Sequence, residues 1–351
     1  MLELKGLIDA VWDLIAGFLR GLGLSDGLIA LLGYAVLGVV LFGVVALIVL
    51  FLVWWERKVS AHMQDRLGPM RVGWHGWIQT IADAVKLLQK EDITPRAIDF
   101  PIHFWAPVVT FVAAFMVYVT IPFGKGLVVS DLSVGVLYIV AITTFTVIGL
   151  LMAGWGSNNK YSLLGGFRSA AQVISYEVPL TLALLGVIMI AQTLSLNAIV
   201  MQQGNFFKWY VWRQPLGFLI FWIAATAECN RTPFDLPEAD SELVAGFVTE
   251  YSGMKFAMFF LAEFVNMFTA SAVAATLFFG GWMSPFGPNF GPSWAWFMAK
   301  TLGLVFVLMW FRWTYPRLRV DQLMGFAWKV LLPAAFVNIL LTGIGIHVFA
   351  R

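Results

Sequence analysis

Eight long apolar stretches constrain this chain more than any other feature of it: about 28–54, 101–121, 133–154, 172–194, 213–229, 254–280, 295–314 and 328–349. A helix needs roughly 20 apolar residues to cross the ~30 Å hydrocarbon layer of a bilayer. Inside that layer no water is available to a free backbone N–H or C=O, and a helix satisfies both within the segment. The composition agrees, with 60% hydrophobic and 12% charged residues, against about 45–50% and 25% in soluble domains. The expectation is an all-α polytopic membrane protein of about eight transmembrane helices, forming one integral membrane domain over 1–351. The stretch at 213–229 is short, and Pro179 interrupts the fourth.

Orientation follows from the cations. Of the 22 Lys and Arg residues, 15 fall in or beside the loops after the first, third, fifth and seventh stretches: Arg57, Lys58, Arg66, Arg71, Lys86, Lys90, Arg96, Lys160, Arg168, Arg231, Lys255, Arg312, Arg317, Arg319 and Lys329. Positive loops stay on the cytoplasmic side, which puts both termini outside. Residues 1–26 do not read as a cleavable signal, because Asp9 and Asp13 interrupt them. They suit an interfacial helix. In the first cytoplasmic loop (55–100), residues 74–90 show a stronger amphipathic pattern. Trp74, Trp77, Ile78, Ile81, Val85 and Leu88 recur at helical spacing opposite Gln79, Asp83, Lys86 and Lys90. A loop this long is expected to build part of a functional wall rather than only connect two spans.

One cysteine, Cys229, and four scattered histidines cannot supply a four-cysteine iron–sulfur cluster or a paired haem or metal site. No redox centre is expected within this chain. Acids are the unusual feature. Glu177, Glu228 and Glu263 fall in or at the end of apolar stretches, where an ionisable residue costs roughly 2.5–3.5 kcal/mol on insertion scales. Burial favours the neutral acid, and a carboxyl tuned in this way can take up and release protons. Residues 228–253 form an acidic cytoplasmic loop carrying Glu228, Asp235, Glu238, Asp240, Glu242 and Glu250, with no Lys or Arg between 232 and 254. Pro237 can open a short helix whose first turn favours Glu238 and Asp240. Glu242 has no such excuse. Cations of the first loop are the expected partners of this cluster. In 133–154 the polar candidates are Thr143, Thr144 and Thr146, and no relay step is expected there.

Five motifs carry a resemblance: WWERK (54–58), DRLGPMRVGWHGWIQTIADAVKLLQKED (65–92), GWGSNNKYSLLGGFRSAAQVISYE (154–177), AECNRTPFDLPEADSELVAGFVTEYSGMKFAMFFLAEF (227–264) and YPRLRVDQLMGFAWK (315–329). From about 50 to 330 the chain resembles the H-subunit family, the quinone-chamber membrane subunits of respiratory complex I, the proton-pumping NADH:quinone oxidoreductase. The resemblance implies a membrane subunit that forms, with the peripheral arm, the chamber for the quinone substrate. It also implies that buried carboxylates couple quinone reduction to proton translocation. Glu177, Glu228, Glu238, Asp240, Glu242, Glu250 and Glu263 match the family's coupling acids. Arg57, Asp65, Arg66, Asp83, Lys86, Arg231, Phe234 and Asp235 match positions that line or brace the chamber. Met70 departs from the family's usual Asn, and Asp240 from its usual Glu. Some relatives carry an acid in the third helix, which is lacking here.

The implied partners are the iron–sulfur and quinone-site subunits of the peripheral arm, the small membrane subunits, the antiporter-like subunits, lipid and quinone, with no nucleic acid. NADH, FMN and the iron–sulfur clusters would belong to partner subunits, and no activity is expected from the isolated chain. A bacterial cytoplasmic membrane is the implied location. Two other readings are the equivalent subunit of a membrane-bound hydrogenase or formate hydrogenlyase and a stand-alone ion transporter. The long first loop and intact TPFDLPEADSELV argue against the former. The latter would often show inverted repeats with broken helices, and the sequence shows neither.

Overall fold

The computed structural model describes residues 12, 16, 17, 20, 21, 25–236, 240–287 and 290–349. Most of the expected N-terminal interfacial helix, together with Pro237 and Glu238, lies outside them. The apolar stretches become helices: α1 (Asp26–Met63), α3 (Phe100–Met116), α4 (Gly135–Gly156), α5 (Lys160–Ala191), α6 (Pro215–Glu228), α7 (Gly253–Phe278), α8 (Ser293–Thr314) and α9 (Val320–Val348), with α2 (Gln79–Gln89) in the first loop. Seven of these are long and apolar enough to cross a membrane. The eighth, α6, has 14 residues, about 21 Å at 1.5 Å per residue. Among the described residues no strand forms; an isolated bridge joins Gly124 and Leu127.

Pro179 does not break α5, and α9 passes through a π-helical turn at Ala327–Leu331. The central helix is α7, which packs on α3, α8, α6 and α1, while α5 packs on α4, α6 and α9. Small residues allow these approaches, as is usual where lipid leaves no hydrophobic drive between helices. A Cβ on Gly149 of α4 would collide with Thr110 Oγ1 of α3. One main cluster of buried side chains runs from Val45 and Leu52 through Tyr176, Phe221 and Phe268 to Leu331.

The loops gather at two ends. At the basic end, which carries the cation-rich loops, Asn158 Nδ2 donates to Ala97 O (2.8 Å), Ile93 N to Ser252 Oγ (2.8 Å) and Leu318 N to Pro233 O (3.1 Å). At the other, Ser195 Oγ donates to Asp131 (3.0 Å) and Lys125 N to Ser293 Oγ (3.1 Å). The helix expected over 74–90 divides into a 3-10 turn at Trp74–Gly76 and α2. The left-handed backbone of Gly73 (φ 74°) and His75 (φ 52°) sets α2 off from the preceding chain. Its apolar side, Trp77, Ile78, Ile81, Val85 and Leu88, is exposed, while Thr80 is buried and Gln79 and Asp83 are half-buried. Thus α2 turns its polar side towards α1 and α7 and its apolar side outward.

Candidate functional site

Four loops meet at the basic end, and Arg231, in the loop after α6, pairs with acids of α1 and α7 beside Arg312 of α8. The chain enters from the last residue of α6, Glu228, and turns through Asn230 (φ 51°). Gln172 of α5 fixes this turn: its amide Nε2 donates to Ala227 O (2.8 Å) and Phe234 O (2.7 Å). Phe234 is buried, with its ring 5.4 Å from that of Tyr176. Gly165 lets the far side of the loop settle on α5, since a Cβ there would stand 2.7 Å from Phe247 N.

The Arg231 guanidinium is 3% exposed. Its Nη1 donates to both carboxylate oxygens of Glu56 at 2.9 and 3.0 Å. Its Nε lies 2.8 Å from Glu263 Oε1, an ion-pair distance without the alignment of a hydrogen bond. The plane also covers the Phe264 ring at 4.5 Å. Arg312 of α8 bonds Glu56 from the other side. Burial would lower the pKa of Arg231, but Glu263 and Glu56 outweigh it and hold the guanidinium above its ordinary value. Two arginines and two carboxylates therefore share one site, where any change of protonation must fall on the acids, since arginine does not deprotonate.

Glu228 and Glu177 form a separate group. Glu228 opens on a cavity of about 40 Å³, lined also by Thr143, Thr146, Cys229, Asn266 and Thr269. The Glu177 carboxylate accepts a hydrogen bond from Thr144. Most of the remaining lining is apolar, including Ile139, Leu180, Leu184 and Phe221, and the cavity is large enough for a water beside these polar groups. Mid-membrane carboxyls with hydroxyls and water within reach can exchange protons, whereas apolar side chains in the same places could not.

The other expected residues distribute as follows. Arg57 Nη1 bonds Asp83 Oδ2 at 2.6 Å, and Gln79 Nε2 steadies Asp83 Oδ1 at 3.2 Å, which ties α2 to α1. Lys86 is exposed on α2. Asp65 (φ 54°) and Arg66 lie on the exposed turn after α1, where Arg66 Nε bonds Gln64 at 2.8 Å; they stand apart from the Arg231 group. Asp235 Oδ2 meets Arg317 Nη2 at 3.0 Å. Asp240 starts a one-turn helix, Asp240–Leu243. Glu242 pairs with Arg168 at 2.5 Å, and Glu250 accepts from Asn159 Nδ2 at 2.6 Å.

These pairings correct one expectation. The bonded acids of 235–250 are held by α5, by the turn before it and by the segment after α8, not by the first loop. The first loop contributes an acid instead, with Asp92 2.8 Å from Lys255. The reason is proximity: the acidic loop lies on α5, while the first loop turns its own cation, Arg57, to its own Asp83.

Sequence reasoning passed over Glu56 and did not single out Arg312 beyond its charge. The signal for Glu56 is its register. Val45, Val49, Leu52, Glu56 and Val59 recur every three or four residues along the buried side of α1. The same holds for Arg312, four residues beyond buried Leu308 of α8.

Comparison with known proteins agrees with this architecture. Residues 36–343 match the family model described as NADH dehydrogenase. The chain is 51% identical over 325 residues to the first of the NADH-quinone oxidoreductase H subunits of Geobacter sulfurreducens, covering 87% of this chain and 92% of that protein. It is 50% identical over 315 residues to the H subunit of the Carboxydothermus hydrogenoformans enzyme (90% and 89% covered) and 51% identical over 319 residues to that of Bacillus thuringiensis (91% and 92%). A buried arginine–carboxylate site at the loop-rich end of an all-helical membrane bundle, with this similarity along most of its length, means that the chain belongs to the H-subunit family of NADH-quinone oxidoreductase.

Proposed function

We propose that the basic end of this subunit forms the membrane side of a quinone chamber and that its buried acids couple quinone reduction to proton translocation. The observation that carries this reading is the Arg231 site. Two carboxylates and two arginines are packed where the acidic loop leaves α6, and Glu228, three residues from Arg231, opens on a small cavity in the helix bundle that also presents Thr143, Thr146, Asn266 and Thr269. A headgroup that accepts two electrons also takes up protons, and the nearest groups able to answer that change are these carboxyls. The α2 wall, held by Arg57–Asp83 and apolar on its outer side, suits a lipid-borne substrate that enters from the bilayer. Asp65, Arg66, Lys86, Phe234 and Asp235 complete the proposed lining.

The relay runs from the acidic loop (Glu238, Asp240, Glu242, Glu250) through Glu263 and Glu228 to Glu177. Positive loops at the basic end support a cytoplasmic placement of that end, with both termini on the outer side of a bacterial cytoplasmic membrane. The reading takes 1–351 as a single membrane domain. NADH, FMN and iron–sulfur clusters are assigned to peripheral-arm partners, and small membrane and antiporter-like subunits flank this one.

The test is Glu228→Gln in the assembled enzyme reconstituted into vesicles. NADH-driven proton pumping is expected to fall severely. Wild-type pumping per electron in this variant removes Glu228 from the mechanism.

A further inference from the structure

Adjacent polar residues of α4 face two different half-buried acids, Glu177 of α5 and Glu228 of α6. Thr143 lines the cavity onto which Glu228 opens. Thr144, the next residue, hydrogen-bonds Glu177 of α5. We infer that this hydroxyl pair occupies the gap between the acids in this chain, and that Thr144 is a positioning residue serving both protonation states of Glu177. The inference rests on the proposed role of Glu177 in proton coupling.

The chemistry of a single hydroxyl carries the argument. Thr144 Oγ1 has one proton and two lone pairs, and two acceptors lie within its reach: Val140 O at 2.9 Å and the Glu177 carboxylate. It cannot donate to both at once. With Glu177 ionised, the hydroxyl proton points to the carboxylate. With Glu177 protonated, the carboxyl O–H donates to a lone pair of Oγ1, and the hydroxyl turns its own proton to Val140 O. The proton added resides on Glu177, Thr144 keeps its proton in both states, and the carboxyl keeps a partner throughout. Neither state leaves an orphaned polar group, so the exchange needs rotation about one C–O bond and no movement of helices.

Threonines in membrane helices commonly bond the carbonyl one turn back, and Thr143 and Thr146 do so as well. Thr144 adds to this the carboxylate of Glu177. Among the described residues it is the side chain that hydrogen-bonds the Glu177 carboxylate. Its β-branched side chain also limits the rotamers open to it, which keeps the oxygen in place while the proton turns. Across α4, the cavity beside Thr143 brings Asn266 and Thr269 of α7 into the same polar space as Glu228. The third helix of this chain thus offers hydroxyls where a carboxylate would add a third negative charge.

The experiment compares T144V, which has nearly the same shape without the hydroxyl, with T144S, which restores it, in the assembled enzyme reconstituted into vesicles. Two quantities are read: NADH-driven proton pumping, and the infrared band of the protonated Glu177 carboxyl, assigned by its loss in E177Q. In T144V the band should move to higher frequency and pumping should fall roughly tenfold, the factor attached to losing a hydrogen bond to a charged group. T144S should return both towards wild type. A band unmoved in T144V, or a T144S enzyme no better than T144V, overturns the inference. Wild-type pumping in E177Q overturns the coupling role of Glu177, and a band that still moves in T144V then marks the threonine as merely structural. Should T144V fail to assemble, T144A is read in the same way.

Discussion

Arg231, buried at the basic end, and Lys300, half-buried near the other end, are satisfied by different means. At the basic end Arg231 is held by the carboxylates of Glu56 and Glu263 and shares Glu56 with Arg312. Near the other end Lys300 Nζ donates to three backbone carbonyls, those of Phe279, Gly281 and Met283, at 2.6–2.9 Å, and sits over the Trp209 ring at 4.6 Å. Carbonyls and an indole cannot titrate, so at Lys300 the partners keep their charge, and a proton could be lost only from the ammonium itself. Carboxylates can titrate, so the partners of Arg231 can change charge when something arrives beside them. The two sites therefore differ in which member can change charge: the partners at Arg231, the cation at Lys300.

The sharpest way to break this contrast is Arg231→Met. It leaves Glu263 without its paired cation and Glu56 with Arg312 alone, and breaking a buried ion pair in this way costs about 3–5 kcal/mol. Loss of the subunit from the assembled enzyme on native gels is the expected result, and adding Glu56→Gln and Glu263→Gln should recover much of the assembly without the activity. Lys300→Met comes next. It leaves three carbonyls without their donor, a loss of about 2 kcal/mol, to be seen as a lower unfolding temperature with protons pumped per electron retained. Lost coupling in that variant would end the division between the two sites.

Gly186→Ala perturbs neither site. Its Cβ would stand 2.7 Å from Gln214 Oε1 and 3.0 Å from Asn338 Nδ2, an overpacking cost of about 1–3 kcal/mol, visible in thermal stability alone. The smallest stability effect is expected of Asp83→Asn. The Arg57–Asp83 pair is partly exposed, at 40% and 25% for the two side chains, and such pairs contribute only about 0.2–1 kcal/mol. There the quinone KM should rise while the unfolding temperature barely moves.

The apolar stretches located every principal helix, because crossing hydrocarbon permits so few backbone solutions. Glu228, Glu263 and Glu177 were legible because an ionisable group in or at the end of a greasy run is costly enough to require a reason, whereas Arg231 came only from the family resemblance. Glu56 was harder to see, lying between Trp55 and Arg57 just past an apolar run, where an acid reads as solvated. Only the continuation of α1 to Met63 carries it into the core. The partners of the acidic loop were not legible. Opposite charges on one membrane face allow many pairings, and which of them forms depends on how the loop settles against Gly165, a tertiary fact. The threonines of α4 looked inert, since a hydroxyl costs little in a membrane helix and so leaves no compositional trace.

The short α6 has an electrical consequence. Its 14 residues span about 21 Å of a layer roughly 30 Å thick, and the residues after it stay within the protein: Cys229, Arg231, Phe234 and Leu236 are all buried. Non-helical backbone is tolerated at such depth only where protein or a wet cavity surrounds it. Voltage drops mainly across apolar matter, and Glu228, the last residue of α6, stands at the basic edge of that helix's apolar span. Moving one charge through the whole field is worth roughly 2.3 kcal/mol per 100 mV. In the proposed relay, a proton reaching Glu228 from the basic end has crossed none of the α6 span, and most of the work against the membrane potential belongs to the onward journey.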